Sequence, residues 1–318
     1  MILNENNILS YLGKLKCFEK SPHVAVGVSG GPDSIALVYL INKWIKLKRG
    51  KLIALIFDHG LRSNSEEESY HVRDILIDLK INAKILKTKN KPIKKNMAQA
   101  RKNRFDGLIS FCRKNNIFHL FLGQHFDDNI ETYLIRKING SNFEGLGSMD
   151  EISYFKKIQI LRPFLKINKS TILRFNIKNK LVFLNDPSNK DENYTRVKVR
   201  YFLKNKKYNE LIKYDFKNLK KEIPFYKEMV WTFLIKTIVE ITSTHIKINY
   251  KKLLKHDDLL IEKIISLCLK FFSDQTYVTR SAKINSFINE IKKSSFKIFN
   301  LSSVSIKKNE KFLIFYQK

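Results

Sequence analysis

Val24-Ala-Val-Gly-Val-Ser-Gly-Gly-Pro-Asp-Ser34 runs from a short apolar strand through a Gly-rich turn into a helix, and that junction decides the fold. Glycines at a strand-to-helix turn let backbone N–H groups converge on an anion. The helix that follows adds its unpaired first-turn amides and the positive end of its dipole. Pro32 suits the first helical turn, where a missing donor costs nothing. Ser29 and Ser34 supply hydroxyls, and Asp33 is a candidate to hold magnesium against phosphate oxygens. No Lys follows the second glycine as in the Walker loop, and Gly-x-Gly-x-x-Gly is absent. An ordinary tight turn is the plain alternative, and the strand before and helix after oppose it.

Working outward, strand-like and helix-like runs alternate up to about residue 140. Helix Ser34–Lys48 carries apolar Ile35, Leu37, Val38 and Ile41, and a second apolar run, Leu52–Phe57, ends at Asp58-His59-Gly60. Ser65-Glu66-Glu67-Glu68 reads as a capping box opening a helix. A strand over Ile81–Leu86, a helix over Met97–Lys114, a strand over Ile117–Leu122 and a helix over Asp127–Ile138 complete the series. Such alternation predicts an α/β fold, a parallel sheet with helices on both faces and ligands at the carboxyl ends of its strands. The polar clusters at 29–34, 58–62 and 123–131 all fall at those ends. Beyond about residue 205 the pattern changes to basic segments between apolar helical stretches, Met229–Ile238 and Leu259–Leu269. Strands follow over Phe296–Phe299, Val304–Ile306 and Phe312–Tyr316. The expected division is a nucleotide-binding domain over 1–205 and a smaller, basic α+β domain over 206–318.

The chain is long enough for two cores, with 318 residues of which 43% are hydrophobic. Sixty Lys and Arg against 30 Asp and Glu give a net charge of +30, which favours a polyanionic partner, nucleic acid above all. Compositional drift toward Lys, Ile and Asn is the other source of such charge. Cys17, Cys112 and Cys268 are widely spaced and odd in number, a pattern that supports neither a disulfide framework nor a metal cluster. The first twenty residues lack the apolar core of a signal peptide, and no apolar run reaches the roughly 20 residues of a membrane span. A reducing cytoplasm and no membrane partner are the expectation.

The second concentration of chemistry is Gly123-Gln-His-Phe-Asp-Asp-Asn-Ile-Glu131. At a helix start, Asp127, Asp128 and Glu131 share one face, and the dipole favours their charge. They are placed to hold magnesium or the ammonium of a small cationic substrate; helix capping and a surface ion pair are the plainer reading. His125 is a candidate base or phosphate ligand, or a structural histidine. Asp58 and His59 stand where a nucleotide's ribose or base would pass. Arg101 and Arg104 share a helix face and suit a phosphate clamp, with solvated surface arginines as the alternative.

Together these motifs resemble the tRNA(Ile)-lysidine synthase family, whose loop is the pyrophosphatase-type SGGxDS. The likeness runs through Asp58-His-Gly-Leu-Arg62, Ala100–Phe105, His125–Thr132, Gly140-Ser-Asn-Phe-Glu-Gly-Leu-Gly-Ser-Met149 and Arg162-Pro163. It extends to Asp186-Pro-Ser-Asn-Lys-Asp191 with Tyr194, Arg196 and Arg200. Gln124 stands where the family usually has a second His, Asn129 where it has Gln, and Val197-Lys198 where it has Asn-Arg. The C-terminal third matches only in being basic and α+β, in the manner of an abbreviated form with one appended domain.

The resemblance implies an ATP-dependent ligase acting on the wobble cytidine of the CAU-anticodon isoleucine tRNA. ATP would adenylate the C2 oxygen, and the side-chain amine of free L-lysine would then displace AMP. Ser29, Gly30, Gly31, Pro32, Asp33, Ser34, Asp58 and His59 would bind ATP, with Mg2+ at Asp33 and Asp128. His125, Asp127, Asp128 and Glu131 would serve lysine or the metal, and Arg101 and Arg104 would stabilise the phosphate or AMP. Arg196, Arg200, Lys204, Lys206 and Lys207 would contact tRNA. Another enzyme with the same loop, thiolating or amidating, and a non-catalytic RNA-binding relic are the rivals. Thiolating relatives generally need paired cysteines, and no Cys-x-x-Cys occurs here. Oligomeric state is not given by the sequence, and a homodimer stays open.

Overall fold

The computed structural model describes residues 3–60, 65–88, 97–184, 195–272, 281–293, 297–301 and 303–317. Leu61, Arg62, Asp186–Asp191 and Tyr194 lie outside the described residues. The chain divides into two compact units, Met1–Leu219 and Lys220–Lys318.

The first unit opens with α1 (Glu5–Lys14), capped by Asn4. Then β1 (His23–Val28), α2 (Pro32–Leu47), β2 (Lys51–Asp58), α3 (Ser65–Asp78), β3 (Ala83–Lys87), α4 (Met97–Lys114), β4 (His119–Phe121) and α5 (Phe126–Ile138) alternate as expected. A short α6 (Phe143–Leu146), β5 (Ile152–Phe155), β6 (Ile158–Leu161), α7 (Lys169–Lys178) and α8 (Thr195–Phe202) follow. The sheet order is β3-β2-β1-β4-β6-β5, parallel except for β5. Order reverses at β1, whose neighbours are β2 and β4, and that switch point is where ligands meet open α/β sheets. Val24 and Val26 of β1 are fully buried, and α2 inserts Ile35, Leu37, Val38 and Ile41 into the same core. Each such side chain contributes roughly 1.5–3 kcal/mol on burial.

The β5–β6 hairpin is absent from the sequence reading. Its turn, Lys156-Lys157, has φ of +46° and +68°, a conformation that Asn-Gly usually announces and two lysines do not. With it, β6 fills the parallel sheet beside β4 and β5 closes the edge.

Helix α9 (Lys206–Thr237) begins in the first unit and ends in the second. Ile212, Phe216 and Leu219 pack with Ile130 and Tyr133 of α5, and Tyr133 donates to Asp215 at 2.8 Å, so the stretch up to Leu219 belongs to the α/β unit. In the second unit β7 (Ile238–Ile241), β8 (His245–Asn249), α10 (Tyr250–Leu253), α11 (Asp258–Phe271), α12 (Ser281–Lys293), β9 (Ile298–Leu301), β10 (Val304–Lys308) and β11 (Phe312–Gln317) form an α+β fold. Its antiparallel sheet runs β7-β8-β11-β10-β9. Alternate residues Ile246, Ile248, Leu313, Phe315, Val304 and Ile306 share a core with Ile261, Ile264, Ile265, Phe287 and Ile288 of α11 and α12. The β7–β8 hairpin was likewise unread; Ile238 begins a strand and does not end a helix.

Candidate active site

The loop after β1 is held in shape from three directions. Ser34 Oγ donates to the Gly31 carbonyl at 2.9 Å and accepts from the Ser29 N–H at 3.2 Å. Leu184 N–H donates to the Gly30 carbonyl at 2.9 Å, and the fully buried Asn176 donates from Nδ2 to the Pro32 carbonyl at 2.8 Å. Gly30 has φ +82°, and a Cβ there would lie 2.5 Å from Val72 Cγ2, so only glycine turns this corner. Gly31 caps α2 without a side chain, which leaves the helix's first amides facing outward beyond the sheet.

The end of β4 brings the second cluster to the same place. Backbone at Gly123 passes so close to the loop that a Cβ would sit 3.2 Å from the Asp33 carbonyl oxygen. His125 caps α5 in a reciprocal capping box: its Nδ1 accepts from the Asp128 N–H at 3.3 Å, and Asp128 Oδ2 accepts from the His125 N–H at 3.1 Å. With Nδ1 an acceptor, the neutral ring carries its proton on Nε2, the tautomer being inferred from that bond. Nε2 lies 3.7 Å from Asp33 Oδ2 and 3.5 Å from Asp128 Oδ2, so one buried imidazole edge is shared by a carboxylate from each cluster. Asp127 Oδ2 accepts from the Lys169 backbone N–H at 2.7 Å and lies 3.6 Å from His125 Nδ1.

Burial pushes the Asp33 carboxyl above its ordinary range; His125 and Lys169 pull it down, and Asp128 pushes it up again. Its Oδ1 is buried with no hydrogen-bond partner. An orphaned buried acceptor beside a second carboxylate is a donor set for a hard cation that keeps most of its coordination for phosphate and water. Among the described residues no group of three or more His, Cys, Asp or Glu is arranged to hold a metal ion.

Glu131 stands apart from these acids. Its carboxylate is closed between Arg200, whose Nε donates to Oε1 at 2.6 Å, and Arg196, whose Nε lies 3.3 Å from Oε2. Arg196 Nη2 also donates to Thr132 Oγ1 at 3.1 Å, fastening α8 to α5. Arg104 is half-buried and Arg101 exposed, both on α4. Burial lowers the Arg104 pKa, Arg196 adds to the shift, and Asp128 opposes it. Arg101, Arg104 and Arg200 all feel the charge of Asp128, and Arg101 and Arg104 also feel that of Arg196, so cations from α4 and α8 gather near that acid.

Asp58 and His59 end β2. Asp58 Oδ1 accepts from the Gly60 N–H at 2.9 Å, an Asx turn, and His59 packs its ring edge on Phe57. Burial, then the nearby Arg104, lowers the His59 pKa to about 4, so it is neutral at physiological pH. Lys204, Lys206 and Lys207 are exposed at the α8–α9 turn of the first unit and do not join the acids.

Other residues that shape the site escaped the sequence reading. Asn176 carried a readable signal, a polar residue on the α7 face that buries Ile172 and Phe175. Lys169, which meets Asp127 through its backbone, carried none. The two departures differ in outcome. Asn129 is buried and grips Met149 both ways, accepting from its N–H at 2.9 Å and donating to its carbonyl at 3.3 Å, whereas Gln124 Oε1 is buried without a partner. Arg136 and Arg162 are braces, donating to the Gly145 carbonyl at 2.6 Å and the Asp150 carbonyl at 3.0 Å. A shallow groove of about 510 Å³ lined by Asp106, Arg113, Lys114 and Lys156 lies toward the amino ends of the strands, away from this chemistry.

The family model described as the PP-loop domain matches residues 4–207. The chain belongs to the PP-loop family. Within it, the chain is 35% identical over 201 residues to the tRNA(Ile)-lysidine synthase of Orientia tsutsugamushi (strain Boryong), covering 63% of this chain and 45% of that protein. It is 40% identical over 184 residues to the enzyme of the same name from Wolbachia sp. subsp. Brugia malayi (strain TRS), covering 57% and 43%. The match therefore spans about half the length of these curated relatives. Among solved structures, the U34-tRNA thiolase NcsA from Methanococcus maripaludis shares the PP-loop fold, with TM-score 0.57 and 20% identity over 68% of this chain and 77% of that one. Among the described residues no helix is long and apolar enough to cross a membrane.

Proposed function

We propose that this PP-loop chain ligates free L-lysine to C2 of the wobble cytidine of CAU-anticodon tRNA(Ile), with ATP as the activating substrate, in the cytoplasm. The observation that carries the reading is the convergence of Asp33 from the loop and Asp128 from α5 on one edge of His125. It joins the anion-binding turn to the acid cluster in one site.

In the first step the cytidine C2 oxygen attacks the α-phosphorus, the bond to pyrophosphate breaks, and a C2–O–AMP linkage forms. The N–H groups of Gly30, Gly31, Asp33 and Ser34 would face the departing pyrophosphate, and Arg101 and Arg104 would meet charge at the α-phosphoryl group. Asp33 and Asp128 would hold magnesium, which neutralises phosphate charge when bound. In the second step the lysine nitrogen bonds to C2, the C2–O bond breaks, and AMP departs. Lysine's amine, with an ordinary pKa near 10.4, arrives protonated and must first lose that proton.

Exposure distinguishes the acids that can receive the ammonium. The Asp127 side chain is 38% exposed, that of Asp33 24% and of Asp128 17%, while that of Glu131 is 6% exposed and already paired with two arginines. Asp127 is the acid open to a diffusing cation, and the proton passes through it to water. His125, with Nε2–H directed between carboxylates, orients Asp33 and Asp128 and does not act as the base. Burial pushes the Cys112 and Cys268 thiols up to about 12 and raises Cys17 too, surroundings unlike those of an activated thiol.

The test is incubation with ATP, magnesium, labelled lysine and a CAU-anticodon tRNA(Ile) transcript, following label into RNA and AMP release. Incorporation that falls at least about a thousand-fold in Asp33→Ala, with tRNA affinity kept, supports the reading. AMP release without lysine incorporation would redirect it to another nucleophile, and neither signal would overturn it.

A further inference from the structure

We propose that the outward face of α8 and the first turn of α9 form a stacking platform for unpaired RNA bases beside the catalytic acids. This rests on the reading of the chain as a tRNA-modifying enzyme. Helix α8 has two faces of opposite character. Arg196 and Arg200 reach inward to Glu131 and Val199 is buried, while Lys198, Tyr201 and Phe202 stand in solvent. Tyr201 is 71% exposed, and Phe202 and Tyr208 are 45% and 46% exposed. Large aromatic rings left in water at this density mark an interaction surface.

The rings are arranged for stacking. Phe202 and Tyr208 lie 5.1 Å apart between centroids with an interplanar angle of 6°, a preformed parallel pair. Lys204 Nζ lies 5.1 Å from the Tyr201 centroid, so it covers one side of that ring and brings a cation to where a backbone phosphate would follow a stacked base. Lys198, Lys206 and Lys207 are exposed around the rings. The nearby acid Glu210 is paired with Lys213 at 3.0 Å. Cations interleaved with open π-faces fit single-stranded RNA, whose bases are free to splay out, better than a duplex, whose bases are already stacked. A second copy of the chain is disfavoured, because two such basic patches repel. The arginines of the same helix touch Glu131 on α5, the helix whose first turn carries Asp127 and Asp128, so the platform and those acids are joined through one helix pair.

The experiment measures binding of the full chain to a labelled stem-loop RNA and to the same stem closed as a blunt duplex, without ATP or lysine. Tyr201→Leu is expected to weaken the stem-loop complex roughly 5- to 100-fold and the duplex complex little, with the salt slope unchanged because no charge is removed. Tyr201→Trp should restore the preference. Equal loss for both RNAs, no loss, or a wild-type dimer that Tyr201→Leu dissociates would each overturn the platform. If Tyr208→Leu disturbs the start of α9, seen as a lowered unfolding midpoint, Tyr201→Leu carries the test alone. A Tyr201-dependent stem-loop preference in a protein that never incorporates lysine would leave the platform standing and remove the ligase reading. Incorporation with Tyr201→Leu affinity unchanged would do the reverse.

Discussion

Along α5, acids one turn apart sit in unlike surroundings. Asp127 and Asp128, in the first turn, meet the helix amides, His125 and the open end of the sheet; Glu131, in the second, is enclosed by two guanidinium groups from α8. Their spacing puts all three on one face, yet neighbours nearly seventy residues further along decide which carboxylate remains available. The first two acids stay open to solvent, and the closed one holds two helices together.

The largest expected effect tests that division directly. Glu131→Ala removes the buried carboxylate that Arg196 and Arg200 share and should lower the unfolding free energy by about 3 kcal/mol, read by chemical denaturation. Asp127→Asn should stay within about 0.5 kcal/mol of the parent, since the amide oxygen can still accept from Lys169, while KM for lysine rises. Equal destabilisation by both would erase the distinction.

His59 sharpens the comparison as a half-buried group on which burial and the nearby Arg104 outweigh the adjoining Asp58. With a folded pKa of about 4 against 6.5 when unfolded, the unfolded chain binds more protons between those values. Stability from this source is therefore complete above about pH 6.5 and declines as pH falls toward 4. His59→Gln should remove about 1–2 kcal/mol of that decline, compared by melts at pH 7 and pH 5. An identical pH dependence in both proteins would refute it. The smallest effect belongs to the outlying lysines: each of Lys204→Glu, Lys206→Glu and Lys207→Glu should weaken tRNA binding a few-fold and flatten the log–log salt slope by roughly one per lost phosphate contact. An unchanged slope would place the electrostatic contact elsewhere.

The sequence showed the first four parallel strands, β1 to β4, because each is an apolar run ending in polar residues, and it showed both clusters because glycines and acids mark strand ends. It did not show β5 and β6, since Lys156-Lys157 turns the chain with positive φ that neither side chain advertises. Nor did it show the closure of Glu131, a pairing between α5 and α8 that no local pattern encodes. Asn176 lay between these cases, visible as a polar interruption of an apolar face but with its partner, the Pro32 carbonyl, 144 residues away.

The near-contact of Gly123 with the Asp33 carbonyl has a mechanical meaning. Strands β1 and β4 are adjacent in the sheet, at a spacing of about 4.8 Å fixed by their backbone pairing. The loop leaving one and the loop leaving the other touch with no side chain between them. The separation of Asp33 from Asp128 is then gauged by the sheet itself, a ruler made of peptide hydrogen bonds, and a single methyl group added at residue 123 would reset it.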